Sequence, residues 1–221
     1  EADKMIGIDN FETTYYIKNN TLFKKEDTKN YSYSHVQFGE ITSANSYNPL
    51  KINVFYKDFN TAYILDNRLA EIIKIDFSSI ENYKNVTFVS TANDNTLWIF
   101  NQDLQQLELF DYKTKKSRAS SLPIQSEALA LKSNYNFAWL LTEAYLYKYN
   151  YFGSLLYKVK NEGFTSFAKS NGKIFLEKDN SLYFFNENDV NFLLIETPEL
   201  LTKQFFVTNE TLYIYDSKFL H

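Results

Sequence analysis

Short apolar runs separated by polar turns follow one another along the whole chain. In the stretch 86–119, four runs of about five residues alternate with turns rich in Asn and Asp. Runs of this length, rich in β-branched and aromatic residues, are typical of strands. Asn and Asp favour tight turns because their side chains hydrogen-bond nearby backbone groups. The strongest helical pattern spans 126–132, but neighbouring units have strands at that place, so we predict a strand there and an all-β fold.

An aromatic residue also recurs at intervals of 36 to 43 residues, each time with an apolar neighbour after it. The set is Tyr16, Phe55, Trp98, Trp139, Phe175 and Tyr213. A period of about 40 residues with four antiparallel strands per unit is that of a β-propeller blade. We therefore predict a β-propeller of five or six four-stranded antiparallel blades, one domain over 1–221. Phe55, Trp98, Trp139 and Phe175 are expected to be buried between blades.

The two ends of the repeat leave the number of blades open. The sixth unit supplies apolar runs at 204–207 and 211–215 and then only residues 218–221, so it lacks a fourth strand. The first unit is preceded by a short apolar strand at Lys4–Ile8. This strand either is the innermost strand of its own unit or closes the ring against the last one.

Composition excludes several classes of site and partner. Cysteine is absent, which removes disulfides, zinc–thiolate sites and cysteine nucleophiles. The formal net charge of −4 gives no overall attraction to nucleic acid, so no nucleic-acid partner is expected. No apolar run approaches the ~20 residues that cross a bilayer, so no transmembrane segment is expected. The first residue is Glu1, which a removed signal peptide and a trimmed start explain equally well.

The sequence offers little for catalysis. Its two histidines are His35 and His221, and it contains no His-x-x-x-His pair, glycine-rich phosphate loop or Gly-x-Ser-x-Gly elbow. We expect a structural role for His35, and we predict no catalytic residue, no metal site and no cofactor.

Acidic residues recur in the turn after the central strand of five units. They are Asp58, Asp103, Glu143, Asp179 and Asp216. Equivalent turns of equivalent blades point the same way, so these acids form a ring on one face and attract a basic partner or a cation. In the alternative interpretation they only form turns, for which Asp is well suited. Phe59 and Leu104, apolar residues beside two of the acids, are the further candidates for partner binding.

One stretch carries a family resemblance. The Asp-Asn-Thr-Leu-Trp-Ile sequence at 94–99, followed by Leu-Glu-Leu-Phe-Asp at 107–111, resembles the repeat of bacterial two-component-regulator propellers and quinoprotein-like propellers. The glycine of that repeat's turn is missing, and the other units are looser copies. A second resemblance, resting on composition, is to small envelope propellers of Bacteroidota that work beside the type IX secretion translocon or the outer-membrane assembly machinery.

Fold and resemblance together imply a non-catalytic scaffold. Such a protein would be periplasmic or outer-membrane-associated and would mediate protein–protein interaction in a larger envelope complex for secretion or outer-membrane biogenesis. The alternative is a propeller that senses a glycan or small molecule, and a propeller hydrolase or lyase is a third hypothesis. A scaffold tolerates a filled central channel, a sensor needs an open aromatic pocket, and an enzyme needs convergent acids or histidines.

Overall fold

The computed structural model describes residues 2–9, 11–170, 172–187, 190–197, 201–208 and 211–221. Its strands form five four-stranded antiparallel sheets and one two-stranded sheet, arranged as a β-propeller. The strands of each sheet are consecutive in the chain. Helical structure in the described residues is limited to 3-10 turns at Val36–Phe38 and Lys57–Phe59. None of the described helical segments has the length and apolar character that crossing a membrane requires.

The strands follow the predicted repeat closely. Sheets one to three contain β1 (Lys4–Ile8), β2 (Thr14–Lys18), β3 (Thr21–Lys25), β4 (Asn30–Tyr33), β5 (Ser43–Asn45), β6 (Ile52–Tyr56), β7 (Thr61–Leu65), β8 (Glu71–Asp76), β9 (Val86–Thr91), β10 (Thr96–Asn101), β11 (Gln106–Asp111) and β12 (Lys116–Ser120). Sheets four to six contain β13 (Ala128–Ser133), β14 (Phe137–Thr142), β15 (Tyr145–Asn150), β16 (Leu155–Lys160), β17 (Ser166–Ser170), β18 (Lys173–Lys178), β19 (Ser181–Asn186), β20 (Asn191–Ile195), β21 (Gln204–Val207) and β22 (Leu212–Tyr215). The strand predicted within 126–132 is confirmed as β13.

The first strand of each sheet lies at the centre of the ring. β9 contacts β5 and β13, and β17 contacts β13 and β21. The strand β1 pairs with β2 and also contacts β21, so it fills both roles that the sequence left open. Met5 N donates to Gln204 Oε1 at 2.7 Å across this closure. The ring therefore has five complete blades and a two-stranded sheet in a sixth position.

Apolar layers between adjacent blades form the core, as expected of small sheets with two apolar faces. Phe55 is buried in the layer between blades two and three. Trp98 lies between blades three and four, and Trp139 lies between blades four and five. The prediction of burial is confirmed for these three residues.

The same prediction was wrong for Phe175, which is only half-buried. Ile174 and Leu176, on the other face of β18, pack in the layer between blades four and five. Phe175 therefore faces the sixth position, where its ring lies 5.7 Å from that of Phe184. It remains partly exposed because a sheet of two strands covers only the inner half of blade five.

The repeat also shifts by one residue in the first blade. Tyr15 is fully buried against blade two, whereas the repeated aromatic Tyr16 is half-buried on the opposite face of β2. The ring of Tyr16 stacks on Phe23 at 5.2 Å. Tyr15 is thus the structural counterpart of Trp98.

Candidate interaction face and central channel

The five acids predicted to bind a partner all follow the second strand of their sheets. Asp58 lies in the Lys57–Phe59 turn, and Asp103, Glu143 and Asp179 lie in the corresponding turns of blades three, four and five. Asp216 directly follows β22. Because successive strands alternate in direction, these turns share one face with the connections between blades. We call this the turn face, and the other side of the ring the opposite face.

Two of these acids are engaged in forming their own turns. Asp179 and Asn180 have φ angles of 51° and 63°, the left-handed conformation of a type I′ turn. Asp216 Oδ1 accepts hydrogen bonds of 2.7 Å from the N–H groups of Phe219 and Lys218. The hydrogen bond from Phe219 N makes the largest contribution to lowering the pKa of Asp216, and the bonds from His221 and Lys218 lower it further. Both acids match the alternative in which Asp serves the turn.

The other three acids are exposed on the turn face. Asp103 accepts a hydrogen bond of 2.8 Å from Asn85 Nδ2. The carboxylates of Asp58 and Glu143 form no ion pair with any described residue. These three carboxylates keep their charge available to a partner.

Apolar side chains are exposed on the same face. Phe59 is 46% exposed beside Asp58, and Leu104 is 55% exposed beside Asp103. Connections between blades add Val36, Tyr83 and Leu122, all of them exposed. These apolar side chains therefore share the turn face with the three exposed acids.

Asparagines of the turn face hold the connections between blades, a role that the sequence reasoning missed. Asn20 Oδ1 accepts from Ile41 N at 2.6 Å, and Asn180 Oδ1 accepts from Thr202 N at 2.5 Å. Asn60 Oδ1 accepts a hydrogen bond from Val86 N at 3.0 Å, and Asn60 Nδ2 donates one to Lys84 O at 2.6 Å. The signal was present in the sequence as an Asn near the end of each of these three turns.

Buried hydroxyl groups and an amide are hydrogen-bonded to one another between inner strands of the ring. Ser133 Oγ donates to Ser90 Oγ at 2.7 Å, and Asn45 Nδ2 donates to the same oxygen at 3.1 Å. Thr91 Oγ1 donates to Asn45 Oδ1 at 3.0 Å. These bonds join the inner strands of blades two, three and four.

Three lysines extend from inner strands of the ring. They are Lys4 on β1, Lys132 on β13 and Lys169 on β17. Lys4 Nζ donates to Thr42 O at 2.9 Å, at the start of blade two. Among the described residues, the inner strands therefore bring three lysines close to the hydroxyl and amide groups of blades two, three and four.

Tyr47 and Tyr135 lie at the mouth of the channel on the opposite face. Tyr47 belongs to the loop 46–51 between β5 and β6, and its ring is 5.1 Å from that of Tyr135 in blade four. Lys169 Nζ of blade five is 4.9 Å from the ring of Tyr47. The loop of blade two thus reaches across this mouth.

The two histidines lie in different surroundings, His35 among aromatic rings and His221 beside a carboxylate. The ring of His35 lies 4.4 Å from Phe38 and 5.4 Å from Tyr63, and its Nδ1 atom is buried without a hydrogen bond. His221 Nε2 lies 3.0 Å from Asp216 Oδ2. Across the described residues, no three acidic, histidine or cysteine side chains are grouped as metal ligands.

Comparison with known proteins supports the fold. No family model matches the chain, and no curated protein matches it. Among solved structures, virginiamycin B lyase from Staphylococcus aureus, in a catalytically inactive H270A form with quinupristin, is similar over 97% of this chain and 78% of its own, with a TM-score of 0.70 and 10% identity. The WD40 β-propeller domain of Doa1 is similar over 81% of this chain and 62% of its own, with a TM-score of 0.60 and 17% identity.

A weaker likeness is to PorZ, a surface component of the type IX secretion system of Porphyromonas gingivalis. It covers 97% of this chain and 35% of PorZ, with a TM-score of 0.49 and 14% identity. At such values the likeness carries no argument about function. The lyase and WD40 structures, at their low identities, establish the propeller architecture alone.

Proposed function

We propose that this chain is a non-catalytic β-propeller scaffold that binds a larger protein through its turn face. This complex would belong to the bacterial cell envelope, at the periplasm or outer membrane, and would serve protein secretion or outer-membrane biogenesis. The observation that carries the proposal is the pairing of exposed apolar side chains with exposed acids at equivalent turns. Phe59 stands beside Asp58, and Leu104 beside Asp103.

The two kinds of group would contribute differently to binding. Phe59 and Leu104 would bury apolar surface that is otherwise exposed to solvent, and this burial favours association. Asp58, Asp103 and Glu143 would attract a basic partner and speed its encounter. Because exposed charges are screened beyond ~8 Å at physiological ionic strength, added salt should weaken this second contribution.

The test is co-purification from the native envelope under two salt conditions. One variant carries Phe59→Ser and Leu104→Ser, and a second carries Asp58→Asn, Asp103→Asn and Glu143→Gln, which preserve turn chemistry and remove charge. We expect the apolar variant to lose the partner at any salt. The acid variant should retain less partner than the original chain at low salt, and the two should retain equal amounts at high salt, where the charge contribution of the original chain is screened.

Matched control variants change the opposite face. Phe152→Ser removes an exposed aromatic residue in the turn after β15, and Asp27→Asn with Asp94→Asn removes two acids from turns there. These controls should retain the partner fully. Retention of the partner by both turn-face variants, or its loss from the opposite-face controls, would contradict the proposed interface.

A further inference from the structure

The lysines of the central channel form a cluster of like charges at one seam. Lys132 is opposite Trp139 in its sheet, and Lys169 is opposite Ile174. Trp139 and Ile174 both pack in the layer between blades four and five. Residues directly opposite in neighbouring strands point to the same side of a sheet, so both lysines lie at the channel edge of this layer. Lys4 faces them from the first blade.

These lysines also affect one another electrostatically. The protein around Lys132 partly desolvates its ammonium group, and this desolvation and then the charge of Lys4 lower the pKa of Lys132. Burial, and then the charge of Lys132, lower the pKa of Lys169 to about 8. No carboxylate offsets this charge, because none of the ion pairs formed by the described residues includes any of the three lysines.

Aromatic rings lie around Lys169 at this seam. Lys169 Nζ is 5.2 Å from the ring of Trp139 and 4.9 Å from the ring of Tyr47. Tyr47 and Tyr135 together cover the mouth of the channel on the opposite face. Lys51 Nζ donates to Asp94 O at 2.7 Å and so ties the loop that carries Tyr47 to blade three.

Grouping cations in a partly enclosed space is unfavourable unless an opposite charge joins them, because like charges repel more strongly where water is partly excluded. Lys132 is exposed within the channel, so its ammonium group is available to a ligand. We propose that the channel is a binding site for a small oxyanion with two or more negative charges, held by Lys132 and Lys169 at the seam of blades four and five and by Lys4 from across the channel.

The test measures binding of sulfate by titration calorimetry in a buffer of low ionic strength. Sulfate remains a dianion over the whole pH range used, so any pH dependence belongs to the protein. We expect saturable binding of one sulfate. The double variant Lys132→Gln/Lys169→Gln should lower the affinity by about tenfold or more, the size expected for lost hydrogen bonds to charged groups. The surface variant Lys113→Gln/Lys116→Gln should bind like the original chain.

Thermal unfolding without added anion is a second measurement. It shows whether the channel double variant is folded, so that loss of binding through misfolding is not counted as support. Removing two repelling charges should leave the melting temperature of the channel double variant equal or higher, while sulfate should no longer raise it. In the original chain, sulfate binding should weaken from about pH 7 to about pH 9, because Lys169 loses its proton in this range. The titratable side chains around Lys169 are those of Lys4, Lys132, Tyr47 and Tyr135.

Citrate in place of sulfate distinguishes a carboxylate ligand from an inorganic one. Tighter binding of citrate that also depends on Lys132 and Lys169 would assign the site to organic polycarboxylates, and weaker binding would assign it to compact tetrahedral anions. Absence of saturable binding of either anion by the original chain would overturn the inference. Equal affinity of the original chain and the channel double variant would do so as well. The turn-face experiment is independent of all these outcomes.

Discussion

Lys84 Nζ lies 2.6 Å from Glu108 Oε2, and the two side chains are only 9% and 3% exposed. Lys84 belongs to the connection between blades two and three, and Glu108 is on β11. The carboxylate also accepts a bond of 2.8 Å from Asn101 Nδ2 and one from Ser117 Oγ. This network attaches the connection to the third blade.

Loss of one member of this pair should destabilise the protein strongly. We expect Lys84→Met to lower the free energy of unfolding by about 3–5 kcal/mol, because it leaves Glu108 as an uncompensated buried charge. The double variant Lys84→Met/Glu108→Leu should recover most of that loss, since no charge remains buried. Urea unfolding measures both. A double variant that is as unstable as the single one would contradict this account.

Acid should destabilise the fold through Glu108. Burial opposes ionisation of Glu108, but hydrogen bonds from Lys84, Ser117 and Asn101 outweigh it and lower its pKa. A lowered pKa contributes stability above the ordinary value of 4.5, and this contribution is lost as the pH falls through the folded-state pKa. The urea midpoint should therefore fall below about pH 4.5 in the original chain. Glu108→Gln should show a shallower fall, and parallel curves would count against the prediction.

The one-residue shift in the first blade can be tested with neighbouring tyrosines. Tyr15→Ala should cost about 3–5 kcal/mol, the range for truncating a large buried aromatic side chain. Tyr16→Ala should cost less than half as much because Tyr16 is half-buried next to the two-stranded sheet. Urea unfolding of the two variants is the measurement, and equal costs would show that both faces of β2 are equally packed.

A second aromatic pair tests the incomplete sixth position. Trp98→Ala should cost about 3–5 kcal/mol through the cavity that it leaves between complete blades. Phe175→Ala should cost clearly less, since only two strands cover its ring. Thermal and urea unfolding should rank the variants in the same order. A loss at Phe175 as large as that at Trp98 would mean that the sixth position is as well packed as the others.

The connection held by Asn60 gives a prediction about backbone and side chain separately. Asn60 has a φ of 47°, a left-handed conformation that glycine adopts without strain. Asn60→Gly removes the side-chain bonds to Val86 N, Lys84 O and Ser78 Oγ, and we expect a loss of about 1–3 kcal/mol. Asn60→Ala should lose about 1 kcal/mol more through backbone strain. If Asn60→Gly had the same free energy of unfolding as the original chain, the side-chain hydrogen bonds would contribute nothing to stability.

The sequence by itself determined the all-β class, the blade repeat and the shortened sixth unit. These follow from local patterns: turn residues that end each strand, and an aromatic residue that must be buried once per unit. The positions of Phe55, Trp98 and Trp139 could be predicted for that reason. The acids were placed correctly in turns, but their spacing could not separate the turn former Asp216 from the exposed Asp58.

Only the tertiary structure decided which face of each strand is covered. Tyr15 and Tyr16 are both aromatic, so both faces of β2 are apolar in the sequence. The pairing of β2 with β1 determines which of the two tyrosines faces blade two. Phe175 obeys the repeat yet stays half-buried, because its exposure depends on how many strands the next sheet contains. Lys4, Lys132 and Lys169 are far apart in the chain, and closure of the ring is the physical event that brings their charges together.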